Sequence, residues 1–384
     1  MTRPLPGDLG PNKHLIGRPG ARRELVTPCL IMDLDLSMAN THRVIRIMRE
    51  AGMVLWPHAK THKCPRLARF QLETGAERIC VANLHEAETF VAHGVDRLLI
   101  TSPLIGANKI DRLVNLAARC DDLMIVVGSL ANARAIGAAA AECGIVVDTL
   151  IDIDVGMGRT GICDMNEVLD TARLIRSSPS MRLHGVQGYS GRVQHIRDYD
   201  ERLSVYGAQI KTLATARDIL KGLGLTDPVV TGGGTGTLAI DASMGIIRQQ
   251  QSGSYVFMDV QYGAVEISRD ASLAFEPALS LRASVVSANV RGHVTIDAGT
   301  KSLATDGPKP VVLGGAPEGT IYEFFGDEHG KLVLAEGADQ PEPGDGVELV
   351  TPHCDPTVNL HDFIHVVSGD TLVDIWPIEA RGSL

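Results

Sequence analysis

A lysine with room for covalent chemistry sits in Trp56-Pro-His-Ala-Lys-Thr-His-Lys63, directly after a short apolar run. Partial removal from water lowers a lysine's pKa, and the neutral amine can then form an imine. Lys63 follows only three residues later, so the segment taken alone reads equally well as a solvated loop. Two small-residue turns, Thr231-Gly-Gly-Gly-Thr-Gly-Thr237 and Ser252-Gly-Ser-Tyr255, add a second chemistry. Such turns let backbone N–H groups converge on an anion with no Cβ in the way. In Asp152-Ile-Asp-Val-Gly-Met-Gly-Arg-Thr-Gly161, Arg159 is flanked by glycine and offers a fixed cation, or a partner for Asp154. Tyr189-Ser-Gly-Arg-Val-Gln-His195 brings an aromatic ring and an imidazole, and His195 is a candidate general base because its pKa lies near working pH. Pro352-His-Cys-Asp355 is a candidate metal motif. In an extended segment residues i and i+2 share a side, so His353 and Asp355 converge while Cys354 turns away. Imidazole plus carboxylate suits Mn²⁺ or Mg²⁺; a Cys354 thiolate would favour Zn²⁺ instead.

The elements that must hold these groups read as short apolar runs alternating with amphipathic stretches. Strands are expected at Val54–Trp56, Arg78–Val81, Arg97–Thr101, Leu123–Val127, Thr149–Ile153, Leu183–Gln187, Val229–Thr231 and Ile247–Gln249. Helices are expected at Leu84–His93, Asn108–Ala118, Ser129–Cys143, Asn166–Ser177 and Tyr199–Leu223, with Ser129 and Asn166 as N-caps. Alternating strands and helices imply right-handed crossovers and a parallel sheet. Eight such units fit a (β/α)₈ barrel, with an open doubly wound sheet as the competitor. In a barrel, Lys60 lies at the C-terminal end of the first strand and the two glycine turns follow strands seven and eight, where such barrels commonly hold phosphate.

This gives an irregular lead-in over 1–26, a strand within 27–36 that joins a second domain, a barrel over 37–271 and an all-β domain over 272–384. In the last, strands are expected at Ala283–Val290, His293–Ala298, Gly319–Phe325, Lys331–Leu334, Gly346–Val350, Phe363–Ser368 and Thr371–Trp376. At 384 residues the chain can bury its core without covalent staples. A net charge of −10 and 4% aromatic residues argue against a nucleic-acid surface. The seven cysteines are scattered and never spaced Cys-x-x-Cys, which fits a reducing cytoplasm. No apolar run approaches the roughly 20 residues needed to span a bilayer, so no membrane association is expected.

Taken together the motifs resemble the D-threonine aldolase family, a branch of the alanine-racemase-like pyridoxal-phosphate enzymes. That branch includes 3-hydroxy-D-aspartate aldolases and, more distantly, metal-dependent D-serine dehydratases. The likeness runs from Thr27-Pro-Cys-Leu-Ile-Met-Asp33 to Trp376-Pro-Ile-Glu-Ala-Arg-Gly382. It is carried most specifically by Pro57-His-Ala-Lys-Thr-His-Lys63, Thr231-Gly-Gly-Gly-Thr-Gly236, Gly253-Ser-Tyr-Val-Phe-Met-Asp259, Asp327-Glu-His-Gly330 and His353-Cys-Asp-Pro-Thr357.

The resemblance implies an alanine-racemase-type barrel plus a smaller β domain, with pyridoxal 5′-phosphate held on Lys60 as a Schiff base. His58, Arg159, Tyr189, Thr235, Gly236, Gly253, Ser254 and Tyr255 would line the cofactor and its phosphate. His353 and Asp355 would bind a divalent metal, with His195 beside the substrate hydroxyl. It further implies a homodimer in which the β domain of one subunit approaches the barrel mouth. The dehydratase branch resembles His-x-Cys where this chain has His353-x-Asp355, so cleavage of a D-β-hydroxy-α-amino acid to glycine and an aldehyde is the implied reaction. β-Elimination from D-serine or 3-hydroxyaspartate is the alternative, and a non-catalytic cofactor carrier is a third reading. Val81-Ala-Asn-Leu-His85 and Ser190-Gly-Arg192 depart from the family pattern.

Overall fold

Aliphatic and β-branched runs too short for helices pair into one parallel sheet, and the amphipathic stretches between them cover its outside. The structure, a computed structural model, describes residues 8–270 and 273–382. The first residues of the lead-in and the 271/272 domain boundary expected from the sequence lie outside the described residues. After β1 (Cys29–Asp33), eight strands build the barrel: β2 (Val54–Leu55), β3 (Ile79–Val81), β4 (Arg97–Ile100), β5 (Asp122–Val127), β6 (Val147–Asp152), β7 (Met181–Gly188), β8 (Val229–Gly232) and β9 (Gln249–Gln250). Their order is β2-β9-β8-β7-β6-β5-β4-β3, every neighbouring pair parallel. The ring closes between its ends: the Cys80 N–H donates to Pro57 O at 2.9 Å, the Glu77 N–H to Leu55 O at 3.1 Å, and His58 bridges Cys80. The (β/α)₈ reading therefore holds, and the open sheet is excluded by this closure.

Several boundaries differ from the sequence expectation. The helix expected to start at Asn166 spans Met165–Ser177, because the Asp164 carboxylate accepts the Asn166 N–H at 2.9 Å and caps it. Ser129 does cap its helix, accepting the Asn132 N–H at 3.1 Å. The helix after β1 starts at Leu34, with Asp33 as its N-cap.

The remaining strands are β10 (Leu279–Ser287), β11 (His293–Ile296), β12 (Val311–Gly314), β13 (Ile321–Phe324), β14 (Gly330–Val333), β15 (Gly346–Val350), β16 (Phe363–Ser368) and β17 (Thr371–Pro377). They form a second sheet, into which β1 inserts antiparallel to β10 and parallel to β16. β12 has no counterpart in the sequence reading; its Val311 and Leu313 are half exposed, so it shows no buried alternation to detect. The metal-motif segment also departs from expectation. It is not extended: His353 is the N-cap of a short helix, Cys354–Asn359.

Leu30 in β1 is fully buried, opposite Leu281 and Ile364, in the core cluster that continues from the barrel into the β domain. Truncating it leaves a cavity that neither layer can close. Leu30→Ala is expected to lower unfolding free energy by about 2–5 kcal/mol in equilibrium urea denaturation. A change below about 1 kcal/mol would show that this junction is not tightly packed.

Candidate active site

β2 ends at Leu55, and the chain turns through a 3₁₀ segment, Ala59–Thr61, at the barrel rim. The two lysines of this segment part there. Lys63 takes a left-handed φ of 49°, and its ammonium donates to Glu86 Oε1 at 3.0 Å, with only 12% of the side chain exposed. Lys60 faces a cavity and donates to Asp355 Oδ1 of the same chain, 295 residues away. Desolvation had been expected to lower the Lys60 pKa. Burial does pull the ammonium down, but the Asp355 carboxylate overrides it, aided by Tyr189, and raises the pKa above the ordinary lysine value. The lysine is held charged, as one half of an ion pair.

The cavity, about 650 Å³ of unfilled space, is lined by His58, Lys60, Ala82, Thr101, Ser102, Asp152, Ile153, Met157, Arg159, Thr160, Gln187, Tyr189 and Gln251. Arg159 lies over the Tyr189 ring, 5.3 Å from its centroid. It does not pair with Asp154, whose carboxylate instead accepts the N–H groups of Gly156, Met157 and Gly158 and shapes the loop that presents the arginine. Buried glutamines tie the cavity wall together: Gln187 donates to Thr101 O and Asp152 Oδ1, and Gln251 donates to Gln187 Oε1. Burial pushes Asp152 up to about 6 against the lowering pull of Gln187, and its buried Oδ2 has no hydrogen-bond partner. The sequence reading missed Thr101, Gln187 and Gln251; only their inward parity on barrel strands or strand ends could have marked them.

The two glycine turns close in beside Lys60's segment. A Cβ on Gly253 would lie 2.6 Å from His58 O, and one on Gly236 would lie 2.2 Å from Gln194 O, so neither position has room for a side chain. Beneath them Asp241 accepts from Tyr206 Oη (2.8 Å), Thr237 Oγ1 (2.9 Å) and Gln250 Nε2 (2.7 Å), with burial pushing its carboxyl up to about 7. Thr235 Oγ1 accepts the Tyr255 N–H at 3.1 Å, joining the two turns. The buried Ser252 hydroxyl, next to Gly253 and Ser254, has no hydrogen-bond partner. Tyr255 requires a correction. Its phenol is fully buried and accepts from Gln71 Nε2 at 2.9 Å, so it points into the core and does not line the cavity.

At the mouth, His353 Nε2 lies 3.7 Å from Asp355 Oδ2. That is too long for a hydrogen bond, and it is the spacing of two ligand atoms about 2.1 Å from one ion at an angle of roughly 120°. Among the described residues no group of three or more His, Cys, Asp or Glu is placed to hold a metal ion. Cys354 is fully buried, donates to Met258 O at 3.3 Å, and has its thiol pushed well up by burial. Its thiol is thus turned into the interior, toward Met258 O. Its N–H donates to Asp259 Oδ2 at 2.8 Å, which pins the motif to the barrel. Asp259 ended one of the specific sequence motifs but was given no role. Asp355 reaches Lys60 within one chain.

His195 ends the 3₁₀ segment Arg192–His195 and does not line the cavity. Its ring packs on Tyr262 at 4.9 Å between centroids, and its buried Nδ1 has no hydrogen-bond partner. Burial, then the neighbouring His353 and Lys60, push its pKa down to about 4, which keeps it neutral near pH 7.

This geometry has known counterparts. The alanine racemase N-terminal domain model matches residues 32–259, and a serine dehydratase domain model matches residues 278–367. D-Threonine aldolase from Arthrobacter sp. is 38% identical over 366 residues, covering 95% of each chain. This chain belongs to the D-threonine aldolase family. The 3-hydroxy-D-aspartate aldolase of Paracoccus denitrificans (strain Pd 1222) is 32% identical over 364 residues, 94% of this chain and 93% of that one. The crystal structure of D-threonine aldolase from Filomicrobium marinum superposes with a TM-score of 0.89 at 33% identity, covering 94% of this chain and 97% of the other.

His58 supplies a pH signature for the site. Its Nδ1 accepts the Lys60 N–H at 3.3 Å, so Nε2 carries the hydrogen donated to Thr101 Oγ1 at 3.0 Å. Burial, reinforced by Lys60, pushes its pKa from the ordinary 6.5 down to about 3. The unfolded chain thus binds this proton below pH 6.5 while the folded chain does not, and stability falls as pH drops from 6.5 towards 3. His58→Asn is expected to flatten the pH dependence of the melting temperature between pH 6.5 and 4. An unchanged slope would show that His58 titrates normally in the fold.

Proposed function

We propose that the protein is a pyridoxal-phosphate- and divalent-metal-dependent aldolase that cleaves D-β-hydroxy-α-amino acids to glycine and an aldehyde. One observation carries this reading: the barrel lysine Lys60 and the β-domain carboxylate Asp355 meet within one chain, with His353 alongside. The unpartnered buried Asp152 Oδ2 and Ser252 Oγ, and glycine turns with no room for a Cβ, fit a polar cofactor with an anionic group. Lys60 would hold the cofactor covalently, with His58, Arg159 and Tyr189 beside its ring. Thr235, Gly236, Gly253 and Ser254 would hold its phosphate, Tyr255 serving only through its backbone. His353 and Asp355 would hold Mn²⁺ or Mg²⁺. When bound, the cofactor supplies an electron sink for the breaking Cα–Cβ bond, and the ion a Lewis acid for the β-hydroxyl.

The chain's own groups do the rest. Asp355 and Tyr189 hold Lys60 charged while burial acts against that charge, so the lysine's protonation is set by what Asp355 is paired with. His195, neutral near pH 7 and set back from the cavity lining, would take the β-hydroxyl proton through an intervening water. Met157, Tyr189 and Ile153 line the same cavity as Lys60 and would border the substrate. β-Elimination is the second reading, prompted by the serine dehydratase domain match over 278–367; the carboxylate in the third position of the motif weighs against it.

We further infer a cytoplasmic homodimer. Seven unpaired cysteines among the described residues fit a reducing compartment, and the exposed Val311, Leu313, Ile321 and Phe325 of the β domain fit a self-association surface. Among the described residues, no helix is long and apolar enough to cross a membrane.

Two measurements test the reading. Lys60→Ala is expected to lose the visible absorbance of the lysine-bound cofactor and all turnover; an undiminished band would sink the lysine's role. Metal-depleted protein is expected to be inactive on D-threonine, D-phenylserine and 3-hydroxy-D-aspartate, and to recover with Mn²⁺ or Mg²⁺ better than with Zn²⁺. Glycine plus aldehyde supports the proposal; ammonia plus a 2-oxo acid would replace it with the dehydratase.

A further inference from the structure

We propose that Asp306 orients His353 as a metal ligand, fixing which ring nitrogen faces the ion; this rests on the metal role proposed above for His353 and Asp355. His353 Nδ1 lies 3.0 Å from Asp306 Oδ2, and Nε2 lies on the side of Asp355. An ionised carboxylate only accepts, so Nδ1 carries the hydrogen and donates it. The lone pair of the neutral ring then sits on Nε2, the nitrogen aimed at Asp355. An imidazole without such a partner can present either nitrogen, or flip.

An exposed carboxylate–histidine contact is by itself weak, and Asp306 has 57% of its side chain exposed. Here the loop bearing Asp306, between β11 and β12, is tied to the helix that His353 caps. The Ala304 N–H donates to Thr357 Oγ1 at 3.1 Å, and His361 Nε2 bonds Ser302 O at 2.9 Å. A Cβ on Gly307 would lie 3.6 Å from Pro352 O and 3.7 Å from His353 Cβ, so the loop runs directly against the motif. Leu303 and Ala304 are buried, which anchors the loop on both counts. Asp259 fixes the backbone of the motif from the barrel side through the Cys354 N–H. Asp306 fixes the one freedom that remains, rotation of the His353 ring. Partners of this kind hold ligand geometry and basicity, and losing one typically costs about 10–100-fold in metal affinity.

The test is Mn²⁺ titration of full-length, cofactor-loaded protein, with free Mn²⁺ read by electron paramagnetic resonance. Asp306→Ala is expected to raise the Mn²⁺ Kd about 10–100-fold with cofactor content unchanged, and turnover should recover at saturating Mn²⁺. Asp306→Asn, whose amide oxygen still accepts from Nδ1, should fall between Asp306→Ala and the parent, and it is the variant to read if the alanine form folds poorly. Glu328→Ala, which removes an exposed ion pair with Lys301, should leave the Kd unchanged. A Kd for Asp306→Ala within twofold of the parent would overturn the proposal, as would turnover that saturating Mn²⁺ does not restore. A parent protein that binds no Mn²⁺ at all would instead bring down the metal role on which the proposal rests.

Discussion

The ion pair between Lys60 and Asp355 is the contact on which the rest of the site depends. It joins a barrel rim to a helix start in the second domain, across 295 residues of the same chain. Everything around it holds the two partners in place. The barrel closes through Pro57 and His58, which sets the exit direction of Lys60. Asp259, at the end of the turn after β9, holds the Cys354 N–H and so fixes the other partner from the barrel side. The pair is half-buried, with 15% of the Asp355 side chain and 39% of the Lys60 side chain exposed, so losing one partner is felt most by the carboxylate. The pair therefore holds Lys60 in its charged form for as long as Asp355 has no other partner.

The second constraint is steric. The turns after β8 and β9 approach backbone and side-chain atoms so closely that Gly236 and Gly253 have no room for a Cβ. The Asp241 carboxylate, tied to Tyr206, Thr237 and Gln250, supports the first turn from below. Part of the hydrogen bonding here thus holds the turns in place, while the buried Ser252 hydroxyl has no partner.

Much of this was legible in the sequence because barrel periodicity and small-residue turns leave strong local marks. Ser129 as a cap and β15 and β16 as strands were readable to the residue, since their signals are local. Lys60 was separable from Lys63 only through position, and the reason appears in three dimensions: Glu86 occupies Lys63. The misreadings share one cause, which is that tertiary contacts decide what local pattern cannot. Asp164 outcompetes Asn166 as a cap, Gln71 turns the Tyr255 phenol into the core, and Asp259 makes His353 a helix cap rather than a strand residue. Asp306 and Gln187 carry no local signal, because their partners lie 47 and 64 residues away.

The central claim is that the barrel lysine and the β-domain carboxylate serve one substrate from one chain. Co-expressing a Lys60→Ala chain with an Asp355→Asn chain tests it directly, because each is expected to be inactive alone. If both residues act within one chain, every site in a mixed dimer lacks one of them, and D-threonine cleavage stays at background. Recovery of cleavage in the mixed dimers would show that Asp355 reaches the lysine of the other subunit, and would contradict the account.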